Sequence, residues 1–177
     1  MEIREAQEDM GNAYYGGGPG SLVSGLVWVS SGVIAMFISM QASVLTFFFG
    51  GTLIFPISML ISKLLNRSGK HKPDNPLATL ALESTILLFV GFFIAFLLLG
   101  DRPEWFYSIM CLIIGSRYLL FNTLYGKRIY WFFGAVLLLA GCLSFFFDIP
   151  IYFMAITGGL IEVVFSILIL ILEKREK

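Results

Sequence analysis

Apolar runs of about twenty residues follow one another along this chain, separated by short polar or proline-bearing breaks. At 1.5 Å of rise per residue, a run of roughly 20 apolar residues crosses the hydrocarbon of a bilayer. The pattern predicts six such helices, over 21–39, 41–62, 77–99, 105–124, 129–147 and 151–172. The first two have no clear polar break between them, and together they run for roughly forty residues, too long for one crossing. We therefore divide them at Met40-Gln41 as a tight hairpin. Pro76, Pro103 and Pro150 stand just before or at predicted helix starts, where a missing N–H is tolerated. The expected fold class is an all-α integral membrane protein with six transmembrane helices.

Ahead of these spans, Ile3, Ala6, Met10 and Ala13 recur at helical spacing opposite Glu2, Glu5, Glu8 and Asp9. Residues 1–15 are thus expected to form a cytoplasmic amphipathic segment, docked on the basic loop 63–72 rather than on anionic lipid. A frayed, solvated tail is the alternative. Gly16-Gly17-Gly18-Pro19-Gly20 then gives a hinge over 16–20. It is not a phosphate loop, because no Lys-Ser or Lys-Thr follows the glycines. The domain plan is completed by the membrane domain at 21–172 and a cytoplasmic tail at 173–177.

Composition agrees with this picture. Hydrophobic residues make up 58% of the chain and charged residues 14%, and the mean hydropathy is +0.86, which excludes a large soluble domain. Net charge is zero, yet its distribution is uneven. Arg4, Lys63, Arg67, Lys70, Lys72, Lys127, Arg128, Lys174, Arg175 and Lys177 fall on one side of the predicted spans, against Arg102 alone on the other. Basic residues are retained on the cytoplasmic side, so both termini are expected there, in a multi-pass membrane protein. The start of the chain lacks the pattern of a cleavable signal peptide. The sequon Asn66-Arg67-Ser68 is discounted because it falls on the cytoplasmic side. Trp105 and Tyr107 at one surface, with Tyr125, Tyr130 and Trp131 at the other, fit interfacial belts.

A weak internal repeat relates spans one and two to spans five and six. Gly25 and Gly32 precede Gly50-Gly51 as Gly134 and Gly141 precede Gly158-Gly159. Gly50, Gly51 and Pro56, with Gly158 and Gly159, are candidate helix breaks of the kind that frame transporter binding sites. Close packing through small residues is the competing reading.

The chemistry that stands out is ionisable. Glu83, Arg117 and Glu162 lie inside apolar spans, where an unpaired charge costs several kcal/mol. Counted from the helix ends, they fall within about 5 Å of one another in depth. Arginine stays charged, so a layer in which Glu83 and Glu162 share Arg117 is expected, with one carboxyl free to carry a proton or cation. Asn122, Tyr118 and Ser166 are candidates to line a cavity beside it, and Trp28 to offer a stacking surface. Two outcomes separate the readings: a dry ion pair that only orders helices, or a wet pocket reaching both carboxylates.

Catalysis finds no motif. His71, the only histidine, lies in the basic loop, so no intramembrane dyad or zinc cluster can be assembled. Cys111 and Cys142 are expected as free thiols. No cofactor, metal or nucleic acid is implied. The expected partners are the lipid bilayer and an unknown small solute or ion, with a homo-oligomer admitted.

The stretch from Arg4 to Trp28, REAQEDMGNAYYGGGPGSLVSGLVW, resembles the start of a family of small bacterial multi-span membrane proteins of unknown function. An amphipathic start, a glycine-rich turn and a Ser-Gly-Leu-Val-Trp first helix carry the resemblance. It implies a bacterial inner-membrane protein and brings no substrate or catalytic residue. The function expected from the residues is a small transporter or permease-like protein with a buried Glu/Arg layer, proton-coupled through Glu83 or Glu162. The alternative is a non-transporting accessory protein in which the same charges only specify helix packing.

Overall fold

The structure, a computed structural model, describes residues 1–147 and 149–175. Asp148 and the last two residues of the expected tail, Glu176 and Lys177, lie outside the described residues. Among the described residues seven α-helices occur in order: α1 Ile3–Tyr14, α2 Gly18–Phe37, α3 Met40–Leu64, α4 Leu77–Leu97, α5 Phe106–Tyr125, α6 Ile129–Ser144 and α7 Ile151–Arg175. Short 3-10 turns at Tyr15–Gly17, Leu98–Gly100 and Pro103–Trp105 join or extend them. There is no strand among the described residues. The segments containing α2, α3, α4, α5 and α7 are long and apolar enough to cross a membrane, while α6 is apolar but shorter at 16 residues. Large apolar side chains face outward, among them Phe37, Phe93 and Phe132. A soluble protein does not display such a surface. The chain is an all-α membrane protein.

Local chemistry sets the turns. Between α2 and α3 the chain reverses at Ile38-Ser39, slightly before the expected Met40-Gln41, because Ser39 adopts an extended conformation and caps α3 by accepting from the Ala42 amide at 3.1 Å. Tyr15, Gly16 and Gly17 have φ of 52°, 61° and 84° and swing α1 away from α2. At Gly17 a Cβ would lie 2.5 Å from the Tyr130 Oη, so the turn also requires the missing side chain.

In packing order, α3, α2 and α7 form one row, and α4, α5 and α6 a second that faces it. The α2–α7 contact is the most intimate: a Cβ on Gly159 would stand 2.7 Å from the Gly25 carbonyl, and one on Gly25 only 2.9 Å from the Gly159 carbonyl. Gly134 and Gly115 bring α6 and α5 together in the same way. Aromatic contacts join the rows, as in Phe133 stacked on Phe165 at 4.7 Å between centroids and Trp28 tilted against Tyr107 at 5.5 Å. The two hairpins of the suspected repeat pack differently, since α2 lies along α3 whereas α6 leans on α5 and touches α7 sparsely. The rows close at α7 but not at the other edge, where α3 and α4 scarcely touch.

The expected helix breaks are absent. Both α3 and α7 run unbroken through Gly50-Gly51, Pro56 and Gly158-Gly159. Three of these glycines instead allow close approach: Gly50 to Val27, Gly158 to the Trp28 ring, and Gly159 to the α2 backbone. Gly51 has nothing within 4 Å of where a Cβ would be.

At the end of the bundle that carries α1, Ala6, Met10 and Ala13 of α1 are buried. Asp9 accepts from the Lys72 amide at 2.9 Å and from Asn75 Nδ2 at 2.7 Å. Tyr14 Oη meets His71 Nδ1 at 2.8 Å. Glu173 of α7 anchors this end, with Lys127 Nζ at 2.8 Å and Arg67 at 3.9 Å.

Candidate ligand site

The expected charge layer does not form as a three-way cluster. Glu83 is exposed on the outer face of α4. Its neighbours Ser84 and Thr85 take the inward positions instead, because successive residues on a helix are turned by about 100°. Arg117 on α5 reaches these two hydroxyls. Nε donates to Ser84 Oγ at 3.3 Å and Nη2 to Thr85 Oγ1 at 3.0 Å. Both hydroxyls spend their own hydrogens on the Ala81 carbonyl, at 2.8 and 2.9 Å, which leaves their lone pairs toward the guanidinium. Phe121 lies under the charge, 5.1 Å from the guanidinium carbon to its ring centre. Among the described residues no carboxylate forms an ion pair with Arg117.

Glu162 is fully buried on α7. Tyr118 donates to its Oε1 at 3.0 Å, and Ser24 of α2 faces the same carboxyl. Its Oε2 has no hydrogen-bond partner among the described residues. Arg117 and Glu162 thus belong to two separate arrangements, one on the α4 side of α5 and one on the α7 side.

A cavity of about 560 Å³ lies between α2, α3, α4 and α5, within the range of ordinary ligand pockets. It touches Arg117, Tyr118 and Trp28 but neither Glu83 nor Glu162. That corrects the expectation of one pocket reaching both carboxylates. It also departs from the opposite expectation of a dry ion pair, since the cavity does reach the arginine. Trp28 is buried against Phe47, edge to face at 4.9 Å, and its indole N–H finds no acceptor among the described residues.

The other candidates lie elsewhere. Ser166 donates to the Gly18 carbonyl at 2.8 Å and ties α7 to the start of α2. Asn122, with its amide oriented to satisfy both neighbours, donates to the Lys127 carbonyl at 3.2 Å and accepts from Trp131 Nε1 at 3.1 Å, fastening the α5–α6 turn. Cys111 is a buried free thiol and Cys142 an exposed one. Among the described residues no cluster of His, Cys, Asp or Glu has the arrangement to hold a metal ion.

Sequence reasoning passed over Ser84, Thr85 and Ser24, the groups that take up the two buried charges. Adjacent hydroxyls in an otherwise apolar helix, at the depth of an arginine on the next helix, were the available signal. Glu173, which the sequence assigns to the cytoplasmic tail, was also passed over.

A family of unknown function, DUF7010, matches residues 3–172. The chain belongs to this family. No curated protein and no solved structure matches it. Membership extends over nearly the whole chain and, like the sequence resemblance, names no activity.

Proposed function

We propose that the protein is a small carrier with six membrane spans and cytoplasmic termini, binding an anionic solute in the α2–α5 cavity with Arg117 as its counter-charge. One observation carries this reading. A permanently charged guanidinium on the wall of a mostly apolar cavity is held by two hydroxyls and an aromatic face, and no carboxylate among the described residues is in ion-pair contact with it. An anion in the cavity supplies the neutralisation. The uneven distribution of Lys and Arg supports the orientation, with the α1 end in the cytoplasm. It also supports counting α6 as a short sixth span.

Glu162 favours a second, structural role alongside this one. Sealed from the cavity and bonded to Tyr118, it sets the order of α2, α5 and α7 rather than a proton path. The test is thermal stabilisation by a panel of carboxylates and phosphates, followed by counterflow of the best binder in proteoliposomes. Arg117→Gln, which keeps donors for Ser84 and Thr85, is expected to weaken binding about tenfold or more and to abolish counterflow. Equal binding by the variant would remove the reading.

A further inference from the structure

We infer that the ligand of this cavity is a single-chain amphiphile with an anionic head, admitted sideways from the bilayer leaflet on the α1 side through the cleft between α3 and α4. This rests on the anion-site reading above and deepens it in ligand class and route.

The cavity is graded along the membrane normal. Its α1 end is polar, with Tyr14, His71, Ser62 and, further in, Thr85 and Arg117. Its deep end is hydrocarbon and aromatic, formed by Trp28, Phe47, Phe92, Met110 and Ile114. A lipid in the leaflet on that side has the same polarity in the same direction, headgroup toward the α1 surface and chain toward the midplane. A small hydrophilic anion would satisfy Arg117 and leave the apolar walls beyond it in contact with nothing they prefer.

The route follows from the unclosed edge of the bundle. Phe48 on α3 and Phe92 on α4 meet at 5.0 Å between centroids and close the cleft at its deep end. Among the described residues no ring contact joins α3 to α4 on the α1 side of this pair. Phe55 of α3 and Leu82 and Phe89 of α4 line the cavity and are 61%, 62% and 51% exposed. Side chains of two helices that line a cavity and are so exposed mark its mouth, and α3 and α4 carry further exposed apolar residues, such as Leu60 and Leu87. Gly51 lies on the cavity wall with open space where a side chain would go.

The experiment uses the full chain in nanodiscs with Trp105→Phe and Trp131→Phe, so that Trp28 in the cavity wall is the sole tryptophan. Dibromostearic acid, a contact quencher, is titrated against its neutral methyl ester. The expected result is saturable quenching by the acid, much weaker quenching by the ester, and an apparent affinity for the acid reduced about tenfold or more by Arg117→Gln. Gly51→Phe, which fills the mouth, is expected to reduce quenching while leaving the melting temperature near that of the parent. Equal quenching by acid and ester, or an acid titration unchanged by either substitution, overturns the inference. If the acid fails while inorganic phosphate stabilises the parent but not Arg117→Gln, the anion-site reading survives and the amphiphile falls. If neither ligand responds to Arg117→Gln, both fall.

Discussion

Tyr118 donates its phenolic hydrogen to Glu162 at 3.0 Å, and its ring also forms part of the cavity wall. One side chain therefore satisfies the buried carboxyl and forms part of the surface a ligand would meet. Tyr118→Phe keeps the ring and its stack on Phe133, at 3.8 Å between centroids, but leaves Oε1 without its donor. We expect a loss of about 1–3 kcal/mol, read as a lower melting temperature in detergent. Glu162→Gln keeps an acceptor for Tyr118 and should cost less. The reverse order would mean that the carboxylate charge itself, not the hydrogen bond, holds this layer.

Glycine positions give a paired prediction. Gly159→Ala drives a methyl into the Gly25 carbonyl and the Trp28 Cβ, and should cost about 1–3 kcal/mol by overpacking. Gly51→Ala meets open space in a helix interior and should be stabilising, by about 0.5–1 kcal/mol. Thermal unfolding of both variants checks the pair. Equal effects would contradict the distinct roles given to these two glycines.

Much of the helical framework was legible because each long apolar run has few ways to satisfy its backbone in a membrane except as a helix. Rotation about the helix axis was not. The α4 segment is apolar all round, so nothing in its periodicity says whether Glu83 or Ser84 faces inward, and the choice is made by packing against α5. The helix count sets Glu83 level with Arg117, yet the arginine bonds the next residue, Ser84, so depth alone pairs it with the wrong neighbour. The Gly-Gly pairs failed for a related reason. Glycine permits both a broken helix and a close helix contact, and only the approach of Val27 and Trp28 decides which.

The hydroxyl pair that solvates Arg117 can be removed without touching the charge. Ser84→Ala with Thr85→Val leaves the guanidinium against hydrocarbon and should destabilise by about 2 kcal/mol. Adding a carboxylate or phosphate ligand should recover part of that loss if the anion takes over the missing bonds. Melting curves with and without ligand test both halves.

Docking of α1 should depend on acid in one direction. At Asp9 desolvation works to raise the pKa, but the hydrogen bonds from Asn75 and the Lys72 amide outweigh it, and the net effect is a value below the ordinary 3.8. A depressed carboxyl contributes stability above its unfolded value and loses it as pH falls through the folded one. Asp9→Ala should therefore raise hydrogen exchange in Ile3–Tyr14 at neutral pH. The difference from the parent should vanish well below pH 3.8. A difference that persisted in acid would place the effect in packing instead of charge.

The central claim is that Arg117 answers to a ligand and not to a carboxylate of its own chain. An experimental structure in nanodiscs with dibromostearic acid tests it most directly, because the bromines locate the chain and the head follows. The acid's carboxylate is expected at about 3 Å from the guanidinium, with the bromines toward Trp28 and Phe92. Arg117 paired with Glu83 or Glu162, beside a cleft closed between α3 and α4, would contradict it.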